Sequence, residues 1–442
     1  MRQRGGDFRS KRGFKNRSKE GPAVAKKFFY GYVVTAAGFF IWMIGGGSYS
    51  PCFSLFFKSL LAEFGWSRAE TSLAFSFSYI THAVMSIVMG WLSDRLGPRF
   101  VVAVLGSFVG ISYLLMSQIT SLWQFQINYA LVAGIGLSTF TPPVMATVSR
   151  WFVRRRGFMI GIVQGGLGIG GFFFPPFAGW LILSYGWRSA YIVMGLITLI
   201  GVTVSGLFLR RDPREMGLLP DGESGSPVPV VEQKHPMPQR RGLPFGEVIR
   251  TSQFWVIAGL HWSFGFCRST FIGHIAIHVQ DLGFSLADGA NVLAVIAGSS
   301  MIGRIGMGRM ADRMGNRTTF MISFAMTTAA LAWGLIAADL WRLYLFAFVF
   351  GVAWGAQAVL RFSITSDVFG LRSLGLLMGV LMVAESVAAG FGLYFAGYLF
   401  DVSGSYQGAF WMGIGFSAIG MVMAWLLKPL VREVSSPELG RA

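Results

Sequence analysis

The sequence predicts an all-α membrane protein, with twelve transmembrane helices in two pseudo-symmetric six-helix bundles. Three observations carry that prediction. Apolar residues make up 53% of the 442-residue chain and charged residues only 13%, a balance too greasy for a soluble globular protein of this length. The apolar residues gather into twelve runs, each long enough to cross a hydrocarbon core about 30 Å thick. A ten-residue loop also occurs twice, 218 residues apart, each time just after an apolar run: Gly90-Trp91-Leu92-Ser93-Asp94-Arg95-Leu96-Gly97-Pro98-Arg99 and Gly308-Arg309-Met310-Ala311-Asp312-Arg313-Met314-Gly315-Asn316-Arg317. Gly, Asp, Arg, Gly and Arg coincide at matching offsets, so the two halves read as copies of one membrane unit.

In chain order the expected spans are 29-57, 69-93, 99-117, 121-149, 157-184, 188-209, 253-280, 287-310, 317-338, 341-367, 373-401 and 407-430. They divide the chain into a basic tail (1-27), a first six-helix bundle (28-209), a linker (210-252), a second bundle (253-430) and a short tail (431-442). The first tail holds ten basic and two acidic residues. It reads as a solvated topogenic segment touching anionic lipid, with a mitochondrial transit peptide as the alternative. The apolar run after it is too long for a signal-peptide core and shows no small-residue cleavage site, so it stands as the first helix.

The net charge of +17 suggests nucleic-acid binding until its distribution is read. With the N-terminus cytoplasmic, 30 of the 37 Lys and Arg fall in cytoplasmic segments or at the cytoplasmic ends of spans, four (Lys58, Arg68, Arg188, Arg342) fall outside and three (Arg268, Arg304, Arg361) lie deeper within spans. That is the positive-inside bias of a membrane protein. An even number of spans puts both termini on the cytoplasmic side. Cys52 and Cys267 fall inside spans, so no disulfide framework is implied.

The fifth helix is dense in glycine, and Gly166-Leu167-Gly168-Ile169-Gly170-Gly171 matches a dinucleotide fingerprint. No strand precedes it, so close packing of helices through small residues is the better reading. The linker around Pro220-Asp221-Gly222-Glu223-Ser224-Gly225-Ser226-Pro227 cannot bury a core and reads as a flexible connection between the bundles.

The paired loops resemble those between the second and third and between the eighth and ninth helices in the major facilitator superfamily. The resemblance covers nearly all of residues 28–430 and implies transport, with a substrate site near the midplane between the bundles. Asp94, Arg95 and Arg99, with Asp312, Arg313 and Arg317, would then act as gating clusters whose loss lets the halves rock apart, and Gly90, Gly97, Gly308 and Gly315 would shape their turns. The run Ser149-Arg150-Trp151-Phe152-Val153-Arg154-Arg155-Arg156-Gly157-Phe158, leading into Gly165-Gly166, is similar to the entry of the fifth helix in monocarboxylate transporters and oxalate/formate antiporters. The run Phe271-Ile272-Gly273-His274-Ile275-Ala276-Ile277-His278-Val279-Gln280-Asp281-Leu282-Gly283-Phe284-Ser285 of the seventh helix also resembles bacterial members of that group. In the first helix the acidic-Gly-aromatic signature of many eukaryotic members is replaced by Phe29-Tyr30-Gly31-Tyr32-Val33, so their substrate rules do not carry over.

Charged groups inside spans are costly and invite a functional reading. Arg304 stands four residues before Gly308, where the family uses an arginine to hold a carboxylate; a structural salt bridge is the competing reading. A guanidinium offers two parallel donors to a carboxylate. Eukaryotic relatives carry an Asp one turn earlier, but here that position is Ser300, a candidate substrate contact. Glu385 is the one carboxylate placed well inside a span, at a position where oxalate/formate antiporters carry a Lys. It reads as a proton carrier or as a static partner of Arg304 or Arg361. Arg268, with His261 on the same helical face, reads as a second anion ligand or as a gating pair, and Arg361 as structural. Three arginines against one glutamate leave a positive cavity that calls for an anion. His274 and His278, four residues apart, read as polar lining of the outer vestibule or as a proton relay; they lack the companions of a metal site.

These readings converge on secondary transport of a small organic monocarboxylate with a proton, in a bacterial inner membrane. Carboxylate/carboxylate antiport is the alternative within the class, and a transporter-derived sensor the alternative outside it. No catalytic or nucleotide-binding spacing is present, so neither enzyme activity nor ATP drive is expected. The expected partners are the carboxylate, a proton and the lipid bilayer, with no nucleic acid, no cofactor and no metal, and the chain is expected to act as a monomer.

Overall fold

The computed structural model describes residues 29–152, 155–222, 245–369 and 374–427. The basic tail 1–27, much of the linker and the tail 431–442 lie outside the described residues, as do Val153 and Arg154 of the basic run before the fifth helix.

Within the described residues the fold is helical throughout. The long helices are α1 Gly31–Phe64, α2 Arg68–Leu96, α3 Pro98–Met116 and α4 Leu122–Trp151. A single helical stretch, Arg156–Leu207, turns back at Gly186 (φ 80°, ψ 161°), a conformation open to glycine and costly for other residues, and so divides into α5 (156–185) and α6 (187–207). The second half contributes α7 Ser252–Asp281, α8 Leu286–Met314, α9 Asn316–Gly334, α10 Leu340–Phe369, α11 Leu374–Ser403 and α12 Gln407–Leu426. By length and hydropathy nine helical segments qualify as spans, one of them containing both α5 and α6. Helices α7 and α9 fall outside that set. In α7 the reason is visible: His261, Arg268, His274 and His278 all lie on it.

The duplication is geometric as well as sequential. Helices α2 and α8 each run 29 residues and each begin with a reciprocal cap, Ser67 with Glu70 and Ser285 with Asp288. Each is preceded by a glycine at positive φ, Gly65 and Gly283, and each ends at a glycine of nearly the same shape, Gly97 (φ 85°, ψ 150°) and Gly315 (φ 86°, ψ 150°). These backbone angles suit glycine almost alone, which accounts for its presence in both loops. All three pairs of features stand 218 residues apart, the offset of the repeated loops.

The bundles meet along two long seams, α2 with α11 and α5 with α8, and α1 also meets α7, where the Ala276 N–H donates to the Ser54 hydroxyl (3.1 Å). Toward the end of the molecule away from the repeated loops, both seams are closed. There a Cβ added at Gly168 or Gly171 of α5 would press on Met301 and Ala297 of α8, and one added at Gly390 or Gly397 of α11 would press on the α2 backbone. Toward the loop end the seams part: Gly161 and Gly165, on the same face of α5 as Gly168, meet nothing within 4 Å, and neither do Gly306 and Gly308 of α8 or Gly379 of α11. The molecule is therefore sealed at one end and open between the bundles at the loop end.

Candidate functional site

Where the two seams part lies a cavity of about 170 Å³, walled by both bundles. Local breaks in helical geometry shape its first-half wall. Helix α1 widens into a π-turn over Trp42–Gly46, which aims Trp42 and Gly46 inward; such turns gather at functional positions. Helix α4 loses its regular hydrogen bonding over 139–141, ahead of Pro142 and Pro143, and there presents Phe140 and Thr141. Tyr49, Tyr79, His82 and Gln164 complete this side.

The second-half wall carries the charge. Arg268 of α7, Arg304 of α8, Arg361 of α10 and Glu385 of α11 all line the cavity, and their pairing is unequal. Glu385, only 7% exposed, accepts a hydrogen bond from Arg361, with Arg268 3.9 Å and His261 3.5 Å away. Arg361 also stacks between Phe264 and Phe362, while Arg268 leans over Tyr79 of the opposite bundle. Of the partners offered to Glu385 by the sequence, Arg361 is the one it meets, so Arg361 belongs to the cavity and not to the helix scaffold alone.

Arg304 stands apart. One of its terminal nitrogens donates to the backbone carbonyl of Gln164 across the α5–α8 seam (2.8 Å), and its guanidinium lies 5.8 Å from the Trp354 ring centre. Its Nε has no partner, and no carboxylate of the described residues lies within 4 Å of it. With Glu385 committed to Arg361, Arg304 is the cation of this cavity without an anion. Burial of an unpaired charge is expensive, so the arrangement favours an anionic guest.

Three expectations need correction. Ser300 is not at the site: it is fully buried, its hydroxyl donates to the Ala297 carbonyl (2.7 Å), and its backbone abuts Gly355 where α8 and α10 pack too closely for a side chain between them. His274 and His278 do not line an open vestibule, because that end is sealed. His274, 3% exposed, contacts the Tyr406 hydroxyl (3.0 Å), the Leu393 carbonyl (3.0 Å) and Ser72 of the other bundle (3.3 Å), and His278 packs on Tyr406 and Phe410. Neither reaches the central cavity. Among the described residues, finally, the loop clusters do not tie the two halves together. Asp94 pairs with Arg150 at the end of α4 in its own bundle (2.8 Å), Arg95 lies over Trp91, and Arg317 donates to the Trp425 carbonyl of its own bundle. The side chain of Asp312 lies outside the described residues.

Besides Arg304 on Gln164 and Arg268 over Tyr79, the charged contacts that join the bundles among the described residues are at the sealed end. Arg68, at the start of α2, donates to Asp281 of α7 (2.7 Å) and to the Tyr406 hydroxyl (2.7 Å), and its guanidinium covers the Phe400 ring at 3.5 Å. The first backbone N–H groups of α2, on Arg68 and Ala69, donate to the Asp401 carboxylate at 3.0 and 2.8 Å. The Asp401 carboxylate suits its place, since an anion is favoured at a helix N-terminus. Positive-inside reasoning treats Arg68 only as an outside charge, and nothing local in the sequence links it to Asp281 or Asp401. Sequence reasoning also passes over Trp42, Tyr49, His82 and Trp354; the Gly45-Gly46 pair beside Trp42 was the available signal for the first.

A sequence profile of the Major Facilitator Superfamily matches residues 28–317 and, again, 300–442. Among curated relatives, monocarboxylate transporter 13 of Rattus norvegicus is 27% identical over 393 residues, covering 88% of this chain and 87% of the relative. The oxalate:formate antiporter of Oxalobacter formigenes is 27% identical over 355 residues, covering 79% of this chain and 80% of the relative. Among solved structures, a bacterial homolog of the human lysosomal transporter Spinster, in an inward-facing and unoccupied conformation, superposes with a TM-score of 0.68. It is 16% identical, with 90% of this chain and 96% of that one covered, and so supports the fold alone.

Proposed function

The chain belongs to the Major Facilitator Superfamily, and from that premise we propose that it is a secondary transporter of a small organic monocarboxylate, coupled to a proton and working by alternating access. The observation that carries this reading is Arg304, an unpaired guanidinium at the cavity between the bundles. The carboxylate docks on Arg304, whose planar fork matches it. The loop end is the cytoplasmic end in this reading, both termini lie there, and the conformation described is open to the cytoplasm with the Arg68 cluster closed on the outside.

Glu385 supplies the coupling. While ionised it occupies Arg361 and sits near Arg268; once protonated it releases them to face the anion. Proton and carboxylate therefore favour each other's binding, and by linkage the effect is reciprocal. A second reading, exchange of one carboxylate for another, draws support from the same pair: Glu385 is already neutralised by Arg361 and needs no proton. Uptake of labelled lactate, pyruvate, acetate, oxalate, formate and aromatic acids into proteoliposomes, with and without a pH gradient, separates the two. Concentrative uptake driven by the gradient supports symport, and uptake that requires a carboxylate inside supports exchange. No transport of any acid refutes both.

A further inference from the structure

The two walls of the cavity differ in chemistry. The second-half wall presents guanidinium groups whose neighbouring rings are already engaged: Phe264 and Phe362 by Arg361, Trp354 by Arg304. The first-half wall presents Trp42, Phe140 and Tyr49, and among the described residues no cation lies over any of these rings. Trp42 and Phe140 stand edge to face, with centroids 6.3 Å apart; Phe140 is 1% exposed and backs the half-buried Trp42, which is the ring with surface left for a third aromatic group. Both come from the helix irregularities that break the regular α1 and α4 surfaces: a π-turn at Trp42, and a tightened turn at Phe140, whose N–H donates to the Leu137 carbonyl (3.1 Å). Trp42 also carries an indole N–H with no partner.

Size agrees with that chemistry. At roughly 10–15 Å³ of such space per water-sized group, 170 Å³ accommodates more than ten of them. An acetate or lactate would leave most of that space wet and would stop short of Trp42. An aryl acid fills it.

We infer that the substrate is a monocarboxylate bearing an aromatic ring, with its carboxylate on Arg304 of the second bundle and its ring against Trp42 and Phe140 of the first. This rests on the carboxylate reading above and adds the class of the acid. It also gives the ring a task in transport: a ligand that reaches Trp42 as well as Arg304 draws the loop-end gap closed, whereas a two-carbon acid held on Arg304 meets the first bundle only near Gln164.

The test is isothermal titration of the full-length detergent-solubilised protein with phenylacetate, lactate, acetate and 2-phenylethanol. Phenylacetate is expected to bind at least tenfold more tightly than lactate or acetate, and 2-phenylethanol, which has the ring without the charge, to bind more weakly than phenylacetate by a similar factor. Trp42→Ala should weaken phenylacetate at least tenfold and acetate less than threefold. Phe140→Leu, a milder change, should move the same way and carries the test should the tryptophan variant fail to fold. Equal affinity for phenylacetate, lactate and acetate overturns the inference and leaves the carboxylate reading intact, as does an equal loss for all acids in Phe140→Leu. Failure of every acid to bind the parent protein overturns the carboxylate reading, and the inference with it.

Discussion

Replacing Arg304 separates binding from stability in a way few residues allow. A lysine there keeps the charge but loses the planar fork, and with it one of two parallel bonds to a carboxylate. A hydrogen bond to a charged group is worth about 1.5–3 kcal/mol, and each 1.4 kcal/mol is tenfold. Arg304→Lys should therefore weaken carboxylate binding roughly 10- to 150-fold. Stability should behave otherwise. Arg304 has no anionic partner among the described residues, so Arg304→Leu removes a desolvated, unpaired charge and one hydrogen bond to Gln164. These terms oppose each other, and thermal stability should stay within about 1 kcal/mol of the parent. Arg361→Leu is the contrast. It strips Glu385 of its direct partner and leaves only His261 at 3.5 Å and Arg268 at 3.9 Å, a loss of about 3–5 kcal/mol when a buried pair is broken. Titration calorimetry for affinity and a thiol-independent thermal unfolding assay for stability read the two effects on the same preparations. Affinity in Arg304→Lys within twofold of the parent would refute the substrate role. So would an Arg304→Leu protein as destabilised as Arg361→Leu, since that would place a buried anion beside Arg304.

Three further outcomes follow from other contacts. Glu385→Gln should abolish accumulation of carboxylate driven by a pH gradient while counterflow exchange survives, and an unaltered gradient-driven uptake would remove Glu385 from proton coupling. Arg68→Ala deletes the bonds to Asp281 and Tyr406 that bridge the bundles; distances between spin labels at the exposed Ala62 and Leu282 should lengthen and spread, and an unchanged distribution would show that the Arg68 side chain is not what holds the sealed end shut. Gly97→Ala forces a side chain into a backbone shape reserved for glycine (φ 85°, ψ 150°) and should cost about 1–3 kcal/mol in thermal stability, whereas Gly90→Ala, in helical conformation with its new methyl in ordinary contact with Pro142 (3.6 Å), should be close to neutral.

What could be read from residues alone was whatever depends on composition, period and repetition. Apolar run lengths define membrane-crossing helices because the bilayer thickness is fixed, and the paired loops define the two bundles because a duplicated unit keeps its turn glycines. Even the inward charges Arg268, Arg304 and Glu385 stood out, since a charge within an apolar run is rare and must face the interior. Tertiary structure alone decided who pairs with whom. Glu385 could have neutralised Arg304 or Arg361, and the choice of Arg361, which leaves Arg304 free, depends on how α10 and α11 pack across the cavity. Ser300 shares a helix with Arg304 yet points into the α8–α10 seam, because glycines there draw the backbones together. Arg68 and Asp281 are 213 residues apart and meet only when one end of the molecule is closed. Local sequence encodes helices and their turns, but a site assembled from six or more helices is set by long-range packing, and so by relations between residues that no short stretch of chain contains.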